Sequence, residues 1–117
     1  MRPIANYKVL EPAHHLVPDT YRSTASFPAE EQYGLQSQLR RAASSIPLNI
    51  SEGAGRGSDR DFAKFLNIAV GSATELEYGI RLGRDLGYIA PNAAPRLLSQ
   101  LSDVRRMLAG LLQALNA

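Results

Sequence analysis

The sequence predicts an all-α protein folded as an up-down-up-down four-helix bundle. Three observations point there. Apolar residues recur at helical spacing in four successive segments. No stretch alternates with the period of two that a half-buried strand requires. The connectors between segments are short and rich in Gly and Pro. At 117 residues the chain is long enough for one domain, spanning 1–117, and residues 1–8 are expected to be loosely ordered.

The first helix is expected over Val9 to Ser26, where Leu10, Ala13, Leu16, Val17 and Tyr21 share a face. Pro12 fits a first turn, whereas Pro18 should bend or divide the helix. A second helix is expected from Ala29 to Ala54. Pro28 stands at its start, and Glu30 and Glu31 complement the positive helix N-terminus. Its stripe is Leu35, Leu39, Ala42, Ile46 and Ile50, and Pro47 predicts a kink within it.

The third helix, Ser58 to Leu86, carries Phe62, Phe65, Leu66, Ala69, Ala73, Leu76 and Ile80. Ser58 is a suitable N-cap, with Asp61 placed as in a capping box, and Gly87 is a natural stop. Gly71, Gly79 and Gly83 lie inside it, each costing about 1 kcal/mol relative to Ala. Close approach of another backbone would offset that cost. Gly71, flanked by Ala69, Val70, Ser72 and Ala73, is the expected point of contact. The fourth helix runs from Ala93 to Asn116 on a heptad seam of Leu97, Leu101, Val104, Leu108, Leu111 and Leu115. Ile68, Leu82, Leu86, Leu98 and Leu112 fall off these stripes, and that surplus apolar surface predicts a homo-oligomer.

Composition excludes several kinds of chemistry. Without cysteine there are no disulfides, thiol nucleophiles or Cys-ligated metals. No apolar run is long enough to span a membrane, and a cytoplasmic location is expected. Glu11 and His14 have the Glu-x-x-His spacing of a bundle di-iron site, but the only other histidine is the adjacent His15, so no metal site is expected. The glycine-rich stretch Gly53 to Ser58 follows no strand and lacks the Walker lysine, which leaves it a chain reversal that could also contact an anion. Ser44, Ser45, Ser51 and Ser72 have no base or oxyanion hole in the pattern; small hydroxyl residues suit close helix packing. Glu75 and Glu77 point about 200° apart on a helix and cannot act as one acid–base pair. No catalytic residue, enzyme activity or cofactor is therefore expected.

The basic residues carry the functional signal. Net charge is only +2, but all 13 except Lys8 and Lys64 are arginine, the residue suited to bidentate phosphate contacts. Arg56, Arg60 and Lys64 follow at spacing four, a candidate phosphate-contacting stripe diluted by Asp59 and Asp61. Arg81 and Arg84, then Arg105 and Arg106, are further candidates.

Several linked stretches also resemble a known family. They are Tyr21 to Pro28 (YRSTASFP), Glu31 to Pro47 (EQYGLQSQLRRAASSIP), Asn49 to Gly53 (NISEG) and Phe62 to Glu77 (FAKFLNIAVGSATELE). In this order they resemble the four helix bundle, or 23S rRNA intervening-sequence, protein family across about residues 9–89. The chain departs from that pattern in its first helix, where Leu10 stands in place of the usual Trp and Pro12 and Pro18 are uncommon. The resemblance implies a bundle assembled into a homo-oligomeric ring, typically a pentamer. It also implies a buried Glu paired with Arg40 or Arg41. A related branch, the accessory variability determinant of diversity-generating retroelements, binds nucleic acid and a reverse transcriptase. The expected function is a non-enzymatic, homo-oligomeric RNA- or DNA-binding or scaffold protein acting through basic surface. The alternative is a structural module that binds a protein partner and no nucleic acid.

Overall fold

The computed structural model describes residues 7–116. Its elements are α1 (Leu10–Thr24), a 3₁₀ turn (Ala29–Glu31), α2 (Leu35–Ala54), α3 (Asp59–Asp85) and α4 (Ala93–Asn116), with no strand among the described residues. Consecutive helices pack together, and α1 closes the bundle against α4. Cross-helix bonds fix direction: Ser45 meets Ser72 (2.8 Å) and Gln38 donates to Glu75 (3.3 Å), so α2 and α3 run antiparallel. On the far side Gln100 of α4 donates to Asp19 of α1 (2.9 Å).

The predicted stripes form one core. Leu16, Leu39, Ile46, Ile50, Phe62, Leu66, Leu76, Ile80, Leu97, Leu101, Val104 and Leu108 are buried in it. Of the expected oligomer surface, Leu98 and Leu112 instead pack partly buried against this core, and only Ile68, Leu82 and Leu86 remain toward solvent. The expectation of loose order concerned residues 1–8. Residues 1–6 lie outside the described residues; Tyr7 packs edge-on against Phe62, with ring centroids 5.2 Å apart.

Helix ends follow local chemistry. Ser58 caps α3, its Oγ accepting from the Asp61 N–H (3.1 Å). Gly87, at φ 78°, ends it. The second helix does not begin at Ala29 as expected. Gly34 leaves helical geometry (φ −108°, ψ −115°), so residues 29–34 form a short turn. Glu31 Oε1 then accepts from the Leu35 N–H (3.0 Å) and caps α2. A Cβ at Gly34 would stand 2.6 Å from that oxygen, so the missing side chain makes room for the cap. Neither proline divides its helix: α1 runs through Pro18 and α2 through Pro47.

Of the glycines inside α3, the one crowded against α2 is Gly79, not Gly71, and among the glycines the backbones themselves come closest at Gly53 of α2, where a Cβ would stand 3.3 Å from the Phe62 carbonyl oxygen. A Cβ at Gly79 would collide with a δ-methyl of Leu39, whereas one at Gly71 meets nothing within 4 Å. Gly71 lies nine residues after buried Phe62, half a turn round the helix and on its outer face. Gly79→Ala should therefore lower stability to chemical denaturation, by about 1–3 kcal/mol of overpacking less the roughly 1 kcal/mol of helix propensity that Ala regains. Gly71→Ala should not lower it, and should gain up to about 1 kcal/mol of helix propensity.

Candidate nucleic-acid interface

Arg56 precedes the first turn of α3, so spacing four does not place it on the face of Arg60 and Lys64. Its guanidinium pairs with Glu52 of α2 (2.7 Å) and lies over the Phe65 ring, 4.8 Å from the centroid. Phe65 follows Lys64 by one residue, about 100° further round the helix. Arg56 thus fastens the α2–α3 turn. Arg60 and Lys64 project outward together, exposed, with no ion-pair partner among the described residues.

The other predicted cations do not join them. Arg81 is exposed and unpaired among the described residues, but stands 21 positions beyond Arg60, about 30 Å along α3. Arg84 contacts its neighbour Asp85 (3.1 Å), and Arg106 pairs with Asp103. Arg105 reaches across from α4 to Glu77 (2.9 Å) and Thr74 Oγ1 (2.8 Å) on α3. This partly exposed pair contributes about 0.2–1 kcal/mol and orients two helices. It also corrects the expected glutamate partner. Arg40 instead donates to Thr24 Oγ1 (2.9 Å) and the Tyr21 carbonyl (3.2 Å), and Arg41 is exposed without an ion-pair partner among the described residues.

The remaining motifs are structural in their geometry. Ser45 and Ser72 bond one another, Asn49 donates to Ser45 Oγ (2.9 Å), and Ser44 donates to the Arg40 carbonyl (3.0 Å). Glu11 contacts His15 (3.4 Å) one turn on, rather than forming a set with His14. Among the described residues no three His, Asp or Glu side chains gather where they could hold a metal ion, and no helix is long and apolar enough to cross a membrane.

Sequence reasoning missed a groove at the α1–α2 corner, lined by Tyr21, Tyr33, Gln36, Arg40 and Arg41. The available signal was Tyr33, an aromatic residue in a polar, Gly-terminated turn. The outer face of α3 carries the off-stripe residues Ile68, Leu82 and Leu86 expected from the sequence and adds Tyr78, which sequence reasoning missed. Ile68, Gly71, Glu75, Tyr78, Leu82 and Leu86 follow at spacings of 3, 4, 3, 4 and 4, opposite the buried stripe. Ile68, Tyr78 and Leu86 are exposed there, as is Leu48 on neighbouring α2.

The comparisons with known proteins agree with this architecture. The 1.70 Å crystal structure of a protein of unknown function from the S23 ribosomal protein family of Bacteroides thetaiotaomicron VPI-5482 is similar in fold. Its TM-score is 0.80 at 23% identity, with the match covering 90% of this chain and 95% of that one. No curated protein matches the sequence. Residues 5–110 match the 23S rRNA-intervening sequence protein family, and the chain belongs to that family.

Proposed function

We propose that the chain is a non-enzymatic protein that self-associates and holds nucleic acid through phosphate contacts at the start of α3. The observation that carries this is the placement of two exposed cations, Arg60 and Lys64, together on the first turns of α3. Asp19, Glu52, Glu77, Asp85 and Asp103 are each tied to an arginine of the same chain. Arg41, Arg60, Lys64, Arg81 and Arg96 are exposed with no such partner among the described residues. These pairs cancel charge for charge and leave the net at +2, but they leave Arg60 and Lys64 as adjacent exposed cations one turn apart on α3. At Arg60 and Lys64 the α3 N-terminus adds its own positive potential.

A scaffold role without nucleic acid is favoured by a separate observation, the exposed apolar stripe on α3 beside Leu48. Apolar side chains in a line on one helix face are a protein-interaction surface. In a homo-oligomer, pentameric as in the family's ring form, the stripe would be covered by another copy. The Arg60 and Lys64 pairs would then be repeated around the assembly, and avidity would multiply a weak contact.

Two measurements test these statements. Light scattering at micromolar concentration should give a multiple of the 12.7 kDa chain mass, and Leu48→Glu with Ile68→Glu should reduce it to one chain without unfolding it. A monomeric wild type would end the assembly proposal. Binding to mixed RNA and DNA should fall steeply with added salt as counterions are released. Arg60→Glu with Lys64→Glu should weaken it at least tenfold. These two break no intrachain ion pair, whereas adding Arg56→Glu would also set two carboxylates against each other at Glu52. Wild type that binds neither polymer at low salt would favour the scaffold role.

A further inference from the structure

We propose that the groove at the α1–α2 corner is a binding site for single-stranded nucleic acid, with an unpaired base stacked on Tyr33 and its phosphate at Arg41. This rests on the nucleic-acid function proposed above and adds a second site roughly 15–30 Å along the bundle from Lys64 and Arg60, counted from Arg41 and from the start of α2 across the Gln38–Glu75 and Ser45–Ser72 pairs. Tyr33 is 91% exposed, so its ring has almost no packing role. The ring face is therefore open to a flat partner, beside the cationic side chains that line the same groove.

The surroundings are built. Arg40 lies over the Tyr21 ring, 4.5 Å from the centroid. Its bonds to Thr24 Oγ1 and the Tyr21 carbonyl fix the guanidinium as a flat cationic wall. Thr24 is buried and held in turn by the Thr20 carbonyl (2.8 Å). Gln36, which also lines the groove, is anchored by donating to the Thr24 carbonyl (2.7 Å). At the base of the corner, Phe27 and Tyr88 pack with ring centroids 5.3 Å apart, which locks the α1–α2 loop to the α3–α4 loop. Among the described residues no carboxylate lines the groove.

The chemistry selects the ligand. Arg40 and Arg41 call for an anion, and the exposed face of Tyr33 calls for a flat π-system. Alternating phosphates and unstacked bases supply both, and stacking of this kind tolerates any base. A duplex keeps its bases stacked inside and cannot offer a face to Tyr33.

The test compares fluorescence anisotropy of a labelled mixed-sequence single-stranded RNA with that of a labelled duplex of the same length. Tyr33→Ala should weaken single-strand binding about tenfold, and Tyr33→Phe should restore it. Duplex binding should change little in either variant. Arg60→Glu with Lys64→Glu should weaken both ligands, which separates the two sites. If wild type binds and Tyr33→Ala binds the single strand equally well, the groove proposal is overturned and the phosphate site stands. If wild type binds neither ligand, both fall. If Tyr33→Ala instead lowers the oligomer mass, the groove is a contact between copies of this chain, and the proposal is overturned in that way.

Discussion

The close seating of α2 on α3 is the contact on which the rest of the molecule depends. Leu39 occupies the space that a side chain at Gly79 would fill, and at the other end Gly53 would meet Phe62 and Phe65 if it carried a Cβ. Between them Ser45 and Ser72 bond across the interface. A larger residue at Gly53 would press on the α3 backbone, and one at Gly79 would displace the Leu39 side chain. Because a helix buries only one stripe, this seating also decides what α3 shows to solvent. Phe62, Leu66, Ala69, Ala73, Leu76 and Ile80 go in. Arg60, Lys64, Ile68, Gly71 and Tyr78 are left out.

Much of this was legible in periodicity alone. The limits of α4 and the Ser58 cap of α3 follow from seam and capping residue. Even the place of Gly71 is readable in phase, since nine residues after Phe62 is half a turn; its small neighbours pointed the other way. The start of α2 was not legible, because Glu31 caps Leu35 only once Gly34 has broken the helix. Helix propensity sees two glutamates after a proline and begins too early.

The functional surface was harder to read, for a physical reason. Cation spacing along a helix gives direction, but whether a cation is available depends on partners far away in sequence. Arg105 is consumed by Glu77, 28 residues earlier. Arg56 is fixed by Glu52 and Phe65 before the helix that was to set its phase begins. The corner groove brings Tyr21 and Thr24 of α1 against Arg40 of α2, a juxtaposition made by the bundle and by no local motif. What survives is a bundle with two cationic groups, one on the first turns of α3 and one where the first half of α2 meets α1. One is a pair of side chains without an ion-pair partner among the described residues, and the other a preorganised aromatic corner. An apolar stripe lies open on the outer face of α3.

The most direct measurement is a map of where nucleic acid touches the chain. Single-stranded RNA carrying a photoreactive thiouracil would be cross-linked to the protein at low salt, and the attached peptides identified by mass spectrometry. Cross-links should concentrate at Tyr33 and neighbouring residues of the α1–α2 corner, and at Arg60 to Lys64 of α3. Cross-links confined to α4, or their absence under conditions where the protein is folded and assembled, would contradict the account.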